Sequence, residues 1–342
     1  MESLNADLTV KRVAVNRIRG FEFIDEDGKT LVLSPGKINV ITGPNGSLKT
    51  SFLEALSAGL LGVTSEFQSK LKLATTLRME ELWLYYLVNG DLDLEIDGMK
   101  VRSATLDEIR QFAPLPNENQ VNPEYTRGII AEVGNYRSML RFDIPYVQST
   151  TNLSSVIISF SRNNSVPPRN VDFVSFSLPN PITPQFVYDF LKIIKNPVED
   201  IVEKINSEGF KFVGFFPDEL GRNSIVFEGK KGRMNIQLLG SGYSAYILLA
   251  LSTSHDVILY DNVENHLHLK LMFKVMDLMR DSRSQWFVTT QSLEFIRFLS
   301  SSPHDVKLWR FRKAEDGKVM VKTYTGEEIR EAVKVLKVDL RG

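Results

Sequence analysis

The sequence predicts an α/β protein whose mostly parallel sheet is flanked by helices. In the final third of the chain, patterns of buried strands alternate with helical patterns, which is the order expected of a parallel sheet covered by helices. Near the N-terminus, a short apolar strand runs through a glycine-bearing loop directly into an apolar helix. Together these observations place a candidate ligand loop at the end of a buried strand.

Composition sets broad limits on function. The 342 residues are 43% hydrophobic, enough for one large domain or two. Lys and Arg (41) nearly balance Asp and Glu (42), so the chain lacks the strong positive field typical of non-specific nucleic-acid binding, although a local basic patch stays compatible. The absence of cysteine excludes disulfides and thiolate chemistry. With no signal core and no run of about 18 apolar residues, the sequence predicts a cytoplasmic protein without membrane contact.

The first predicted elements are two strands and a helix. Residues 8–16 alternate apolar and polar side chains before a turn at residues 17–21, which predicts a strand. Residues 37–42 predict a second strand, and apolar residues recur at helical spacing over residues 51–61.

The loop between that strand and helix has the spacing of a phosphate-binding P-loop. In such a loop, backbone N–H groups hold phosphates, a lysine pairs with the terminal phosphates and a hydroxyl binds magnesium. Leu48 stands where the motif has glycine, which predicts weakened affinity, and a strand-to-helix turn that holds no nucleotide stays open. The residues predicted to bind ATP are Asn45, Gly46, Ser47, Leu48, Lys49, Thr50 and Ser51.

The middle of the chain is less regular. It contains an aromatic-rich segment at residues 83–86, a hairpin signal at Asp97-Gly98 and a Pro/Asn-rich stretch at residues 114–123. We interpret residues 62–145 as an inserted lobe that separates a core segment at residues 1–61 from another at residues 146–342. The aromatic side chains are predicted to be core residues rather than base-stacking groups.

Two further motifs lie in the last third of the chain. Four apolar residues, Val257-Ile258-Leu259-Tyr260, end in Asp261, the form of a Walker B strand whose carboxylate holds magnesium beside Thr50. Upstream, Ser241 and Gly242 open an apolar helix, where they would hold the γ-phosphate of a nucleotide bound by a neighbouring subunit. A plain helix N-cap explains the hydroxyl residue and the glycines at this helix start equally well.

These motifs occur in the order found in one known family. The segments that carry the resemblance are Val15-Asn16-Arg17-Ile18-Arg19-Gly20-Phe21, the P-loop, Leu239-Gly240-Ser241-Gly242, Asp261-Asn262-Val263-Glu264-Asn265-His266-Leu267-His268, Thr289-Thr290-Gln291-Ser292 and Asp339-Leu340-Arg341. The chain resembles the AAA fifteen family of ABC-type ATPases, related to the overcoming-lysogenization-defect (OLD) proteins and to chromosome-maintenance (SMC) heads. The resemblance implies an ABC/SMC-head-like P-loop NTPase with an antiparallel β subdomain.

Individual roles follow from the resemblance where residues match. Lys49 would bind phosphate, and Thr50 and Asp261 would bind magnesium. Ser241 would bind the γ-phosphate of the nucleotide held by the other subunit. Gln148 is a candidate for the glutamine that senses magnesium.

With Leu48, three positions depart from the family pattern. The family has glutamate after the Walker B aspartate, whereas this chain has Asn262, which can hold water but cannot take its proton. Gln291 replaces the switch histidine, and Glu264 is the candidate that would supply the missing carboxylate. Asn262, Glu264 and Gln291 are therefore the predicted catalytic positions.

The sequence favours a Mg-ATP-binding homodimer that sandwiches two nucleotides and hydrolyses them slowly. A non-hydrolysing ATP switch, or a degenerate subunit that pairs with another effector, stays open. Because OLD proteins carry an additional nuclease domain, the resemblance also implies a separate nuclease or effector partner, and a nucleic-acid partner remains an alternative. His266 and His268 lack a third ligand nearby in sequence, so they do not predict a metal site.

Overall fold

A computed structural model describes most of the chain. The residues described are 9–64, 87, 90–112, 126–143, 157–206, 211–218, 221–229, 232–299, 306–335 and 339–341. Gln148 and the aromatic segment at residues 83–86 lie outside them, so both predictions stay untested.

Within the described residues, the chain forms seventeen strands and eight α-helices. The strands are β1 (Val13–Ile18), β2 (Phe21–Ile24), β3 (Leu31–Leu33), β4 (Ile38–Thr42), β5 (Leu92–Ile96), β6 (Met99–Ser103), β7 (Arg127–Val133), β8 (Tyr136–Asp143), β9 (Ile157–Arg162), β10 (Phe173–Ser177), β11 (Lys211–Pro217), β12 (Asn223–Gly229), β13 (Gly232–Asn235), β14 (Val257–Asp261), β15 (Gln285–Thr289), β16 (Val306–Lys313) and β17 (Val319–Thr325). The helices are α1 (Lys49–Leu61), α2 (Leu106–Phe112), α3 (Pro184–Leu191), α4 (Glu199–Asn206), α5 (Ser241–Ser252), α6 (Leu269–Asp281), α7 (Leu293–Leu299) and α8 (Gly326–Arg330).

Five parallel strands form the part of the main sheet that positions the site. Their order is β10-β14-β15-β4-β16. The strand before the P-loop, β4, therefore lies between β15 and β16. β4, β14 and β15 are buried along their whole length, as is typical of parallel strands covered on both faces. The predicted alternation of parallel strands and helices is confirmed.

An antiparallel extension continues the same sheet. β17 pairs antiparallel with β16 and parallel with β2, and the sheet then runs through β1 into the meander β5-β6-β7-β8-β9. The Asp97-Gly98 hairpin joins β5 to β6, as predicted. The division at residues 61/62 and 145/146 stays a prediction, although strands from all three segments share one sheet.

Two apolar clusters cover the two faces of the parallel strands. Helices α3, α5, α6 and α7 pack on one face, whereas α1 and the strands of the antiparallel extension pack on the other. α1 and α5 are buried almost all round, which explains why their sequences are apolar on every side. A separate antiparallel sheet, β11-β12-β13, precedes α5.

Candidate nucleotide site

The P-loop leaves the end of β4 and enters α1 at Lys49. Gly43 adopts φ 147°, and a Cβ atom there would lie 2.2 Å from the carbonyl oxygen of Phe311 on β16. Because that contact is with backbone, only glycine fits at this position. The loop is therefore wedged between the ends of two adjacent strands.

Leu48 occupies the glycine position of the motif in a left-handed conformation. Its φ and ψ are 66° and 22°, and its half-buried side chain packs on the apolar cluster that surrounds α1. This conformation costs a non-glycine residue about 1–2 kcal/mol. The chain thus keeps a left-handed bend before Lys49 at the expense of strain, while the weakened affinity predicted from the sequence stays untested.

Lys49 is folded into the loop. Its Nζ donates to the carbonyl oxygens of Gly43 at 2.7 Å and Pro44 at 2.9 Å, and the residue is 7% exposed. Burial lowers the pKa of Lys49 below its ordinary value, and the nearby carboxylates of Asp261 and Glu264 oppose that shift. A further negative group, such as a phosphate, would favour the charged ammonium more.

The donors in the loop fit a phosphate. The Ser47 hydroxyl is buried and has no hydrogen-bond partner among the described residues. A buried hydroxyl of this kind calls for a partner, and a phosphate oxygen supplies an acceptor. Asn45 and Gly46 are exposed at the loop tip, whereas Ser51 is buried within α1.

Asp261, at the end of β14, meets the start of α1. Both of its carboxylate oxygens accept from the Thr50 hydroxyl, each at 3.0 Å, and one accepts from the Thr289 hydroxyl at 2.6 Å. A carboxylate and a hydroxyl side by side form the oxygen donor set that Mg²⁺ takes together with phosphate oxygens and water. The residues present therefore fit a magnesium ion held by Thr50 and Asp261.

Asn262 lies against the same carboxylate. Its φ is 57°, its backbone N–H donates to the Thr289 hydroxyl at 2.8 Å, and its side-chain amide donates to Asp261 at 3.1 Å. Asparagine tolerates the left-handed conformation better than most residues. In this position the amide donates to the Asp261 carboxylate, and an amide cannot take a proton from water.

Glu264, Gln291 and Asn45 form a hydrogen-bonded line. Glu264 accepts from the Thr290 hydroxyl and from the backbone N–H of Gln291, each at 2.8 Å. The Gln291 side chain then donates to Asn45 of the P-loop at 2.6 Å. Glu264 and Gln291 thus lie at the mouth of the P-loop, and Asn262, the third predicted catalytic position, contacts Asp261 beside Thr50.

Ser241 and Gly242 begin α5 in a different setting. Gly240 occupies the N-cap position, so Ser241 is not the cap, and Ser241 is exposed. A Cβ atom at Gly242 would lie 2.8 Å from the carbonyl oxygen of His266, so glycine is needed for this close approach. The N-cap of α5 is therefore Gly240, and the choice between a plain helix cap and a phosphate site stays open.

Sequence reasoning missed the contributions of two threonines. Thr289 and Thr290 were recognised only as part of a motif, yet their hydroxyls bind Asp261 and Glu264. Two consecutive hydroxyl residues at the end of a buried strand were the available signal.

Fold and site together define an ATP-binding P-loop ATPase of the AAA type. A family model described as "AAA domain" matches residues 12–136, which contain the P-loop. A second, described as "AAA domain, putative AbiEii toxin, Type IV TA system", matches residues 79–297, which contain Ser241, Asp261 and Gln291. Because the second match covers more than half of the chain, the protein belongs to that AAA-domain family.

Individual relatives are more distant. The DNA replication and repair protein RecF of Azotobacter vinelandii is 33% identical over 138 residues, which cover 35% of this chain and 34% of that protein. The match thus spans about a third of the relative's length.

Several solved structures are similar over most of the chain. The SMC head domain from Thermotoga maritima has 12% identity and a TM-score of 0.42, and an SMC head bound to the C-terminal winged-helix domain of ScpA has 14% and 0.48; each comparison covers 92% of this chain and 98% of the other. An ATP complex of RecF has 12% identity and a TM-score of 0.37, over 92% and 99% of the two chains. Similarity at this level is too low to carry a functional inference.

No helix in the described part of the chain is long and apolar enough to cross a membrane.

Proposed function

We propose that the protein binds Mg-ATP and forms a homodimer in which the P-loop of each copy and the Ser241 loop of the other enclose one nucleotide. The observation that carries this proposal is the contact of Thr50 and Thr289 with the Asp261 carboxylate, beside Lys49. When bound, magnesium would neutralise phosphate charge. The residues of this chain supply its ligands and orient them.

The homodimer follows from the second half of the site. Ser241 is exposed at the start of α5, and a Cβ atom on Gly240 would meet nothing within 4 Å. Backbone N–H groups at a helix N-terminus attract anions. The exposed loop therefore suits the terminal phosphate of a nucleotide held by a second copy.

Hydrolysis in this dimer is slow in our proposal. Asn262 stands where a proton-accepting glutamate is expected, and its amide donates to Asp261. The same observation favours the second candidate function, a non-hydrolysing ATP switch. Steady-state phosphate release separates the two, because a switch would bind ATP firmly with turnover at background.

Assembly and release of the dimer would act on a partner. The resemblance to OLD proteins suggests a separate nuclease or effector, and the name of the RecF relative suggests DNA. We also propose a cytoplasmic location, because an ATPase that acts with DNA or a nuclease would work there. The degenerate-subunit alternative predicts that Mg-ATP produces no thermal shift at all.

The decisive experiment is the molar mass in solution by light scattering, with and without Mg-ATP. The mass should double only with Mg-ATP, and Lys49→Ala should abolish the doubling because the nucleotide loses its main cationic partner. Lys29→Ala removes an exposed lysine remote from the loop and serves as the matched control. Identical masses with and without Mg-ATP would contradict the sandwich dimer.

A further inference from the structure

One carboxylate joins the turn after β14 to the loop after β15. Oε2 of Glu264 accepts from the Thr290 hydroxyl and Oε1 accepts from the Gln291 backbone N–H, each at 2.8 Å. Hydrogen bonds to a charged acceptor are among the stronger ones in proteins. Since one donor belongs to the backbone, Glu264 cannot move without losing its hold on the loop.

Other hydrogen bonds hold the loop at its ends, and the Ser292 backbone N–H donates to the Thr290 hydroxyl across it at 3.0 Å. The Thr290 backbone N–H donates to Ile41 on β4, and the Ser292 hydroxyl accepts from Phe295 in the first turn of α7. Gln291 lies between these attachments, and its side chain reaches Asn45 at 2.6 Å. The position of the Gln291 backbone thus decides whether its side chain reaches the P-loop.

The turn that carries Glu264 is held in a strained shape. Asn262 and His266, on either side of Glu264, have φ values of 57° and 67°. Such conformations persist only where their surroundings enforce them, and they concentrate at functional sites. Here the Val263 N–H bonds to the Thr289 carbonyl, and the Leu267 N–H bonds to the Glu264 carbonyl, which fixes the direction of the Glu264 side chain.

We propose that Glu264 is a positioning residue that holds Gln291 against Asn45 at the mouth of the nucleotide site, and is not the group that takes a proton from water. Its effect on ATP rests on the proposed function, whereas its hold on the loop does not. Glu264 therefore acts on the nucleotide through Gln291. This proposal differs from the sequence-based interpretation of Glu264 as a replacement catalytic carboxylate, which stays a prediction.

Amide hydrogen exchange of the full chain without nucleotide tests the hold on the loop. Glu264→Ala should raise exchange of the Gln291 amide by at least about tenfold, because this N–H loses its hydrogen bond to a charged acceptor. Glu264→Gln should raise it less, because an amide retains one acceptor oxygen. Asn265→Ala, which trims an exposed side chain of the same turn, should leave exchange unchanged. Unchanged exchange in Glu264→Ala would overturn the proposal.

ATP affinity tests the action through Gln291. Glu264→Ala and Gln291→Ala should weaken ATP binding by similar factors, and the double variant should be no weaker than either single variant. If the two factors multiply in the double variant, the coupling between Glu264 and Gln291 is refuted. If Glu264→Gln keeps the protection of the loop amides but loses turnover about 100-fold, Glu264 does take a proton from water and the proposal is wrong. If the unaltered protein binds no ATP, the proposed function fails, and the exchange measurement alone decides the role of Glu264.

Discussion

The two halves of the proposed nucleotide site differ in how far the chain itself completes them. On the P-loop side, Lys49 and Asp261 are buried, and their polar atoms are hydrogen-bonded within the chain. On the other side, Ser241 is exposed and the helix is capped by a glycine that has no side chain to bond. The P-loop half is preorganised. In the proposed dimer, the Ser241 half would contact a phosphate only when a second copy of the chain presents its bound nucleotide.

The largest effect is expected from breaking the exposed half. Ser241→Glu should weaken Mg-ATP-dependent dimerisation by about 1000-fold, because a carboxylate that faces the terminal phosphate costs about 2 kcal/mol or more, and this cost counts twice in a symmetric dimer. Nucleotide binding by the monomer should persist. Light scattering and calorimetric ATP titration measure the two properties.

Asn164→Glu places the same charge at an exposed position of the loop between β9 and β10 and should dimerise normally. Normal dimerisation by Ser241→Glu would show that the Ser241 loop is not part of the nucleotide site, and the difference between the two halves would then not exist.

The next effect belongs to the buried half. Asp261→Asn keeps an acceptor oxygen for Thr50 and Thr289 but removes the charge that magnesium requires. ATP binding should weaken by about 100-fold, or about 3 kcal/mol, in the presence of magnesium. In the presence of a chelator it should stay unchanged. Asp256→Asn, at an exposed position just before β14, is the control. Equal losses with and without magnesium would mean that Asp261 supports the loop structurally instead.

Prediction from sequence succeeded where the signal is local. The P-loop, β4 and α1 follow from contiguous residues, because strand, glycine turn and apolar helix are encoded within residues 37–61. The sequence does not predict β7 and β8 of the meander, because these strands are defined by pairing with their neighbours in the sheet.

The hydrogen bonds of the site could not be predicted for a related reason. Glu264 and Thr290 are separated by 26 positions, and they meet only because β14 and β15 are adjacent in register. The left-handed backbone at Asn262 was equally hidden, since it results from the close approach of the turn to Thr289. Motifs give residue types, whereas the sheet decides which of them touch.

A smaller effect is expected from Asn262→Glu within the preorganised half. A carboxylate here can accept a proton from water, so turnover should rise by at least about tenfold. The same change removes the amide donor to Asp261 and places a larger residue in a left-handed conformation. The free energy of unfolding should therefore fall by about 1 kcal/mol. Phosphate release and thermal denaturation check the two outcomes. Asn262→Ala separates them, since it also loses the amide but offers no base; a similar rise in turnover with alanine would refute the proton-acceptor argument.

The smallest effect concerns Leu48, a residue of the preorganised half with a left-handed backbone. Leu48→Gly relieves the left-handed conformation but loses half-buried packing and makes the unfolded chain more flexible, so stability should change by less than about 1 kcal/mol. Leu48→Ala loses most of the same packing and keeps the strain, so the glycine variant should be the more stable of the two. If glycine also tightens ATP binding relative to alanine, the strain limits the P-loop half. If the two variants bind ATP equally, the left-handed backbone at Leu48 already serves the phosphate as well as glycine would.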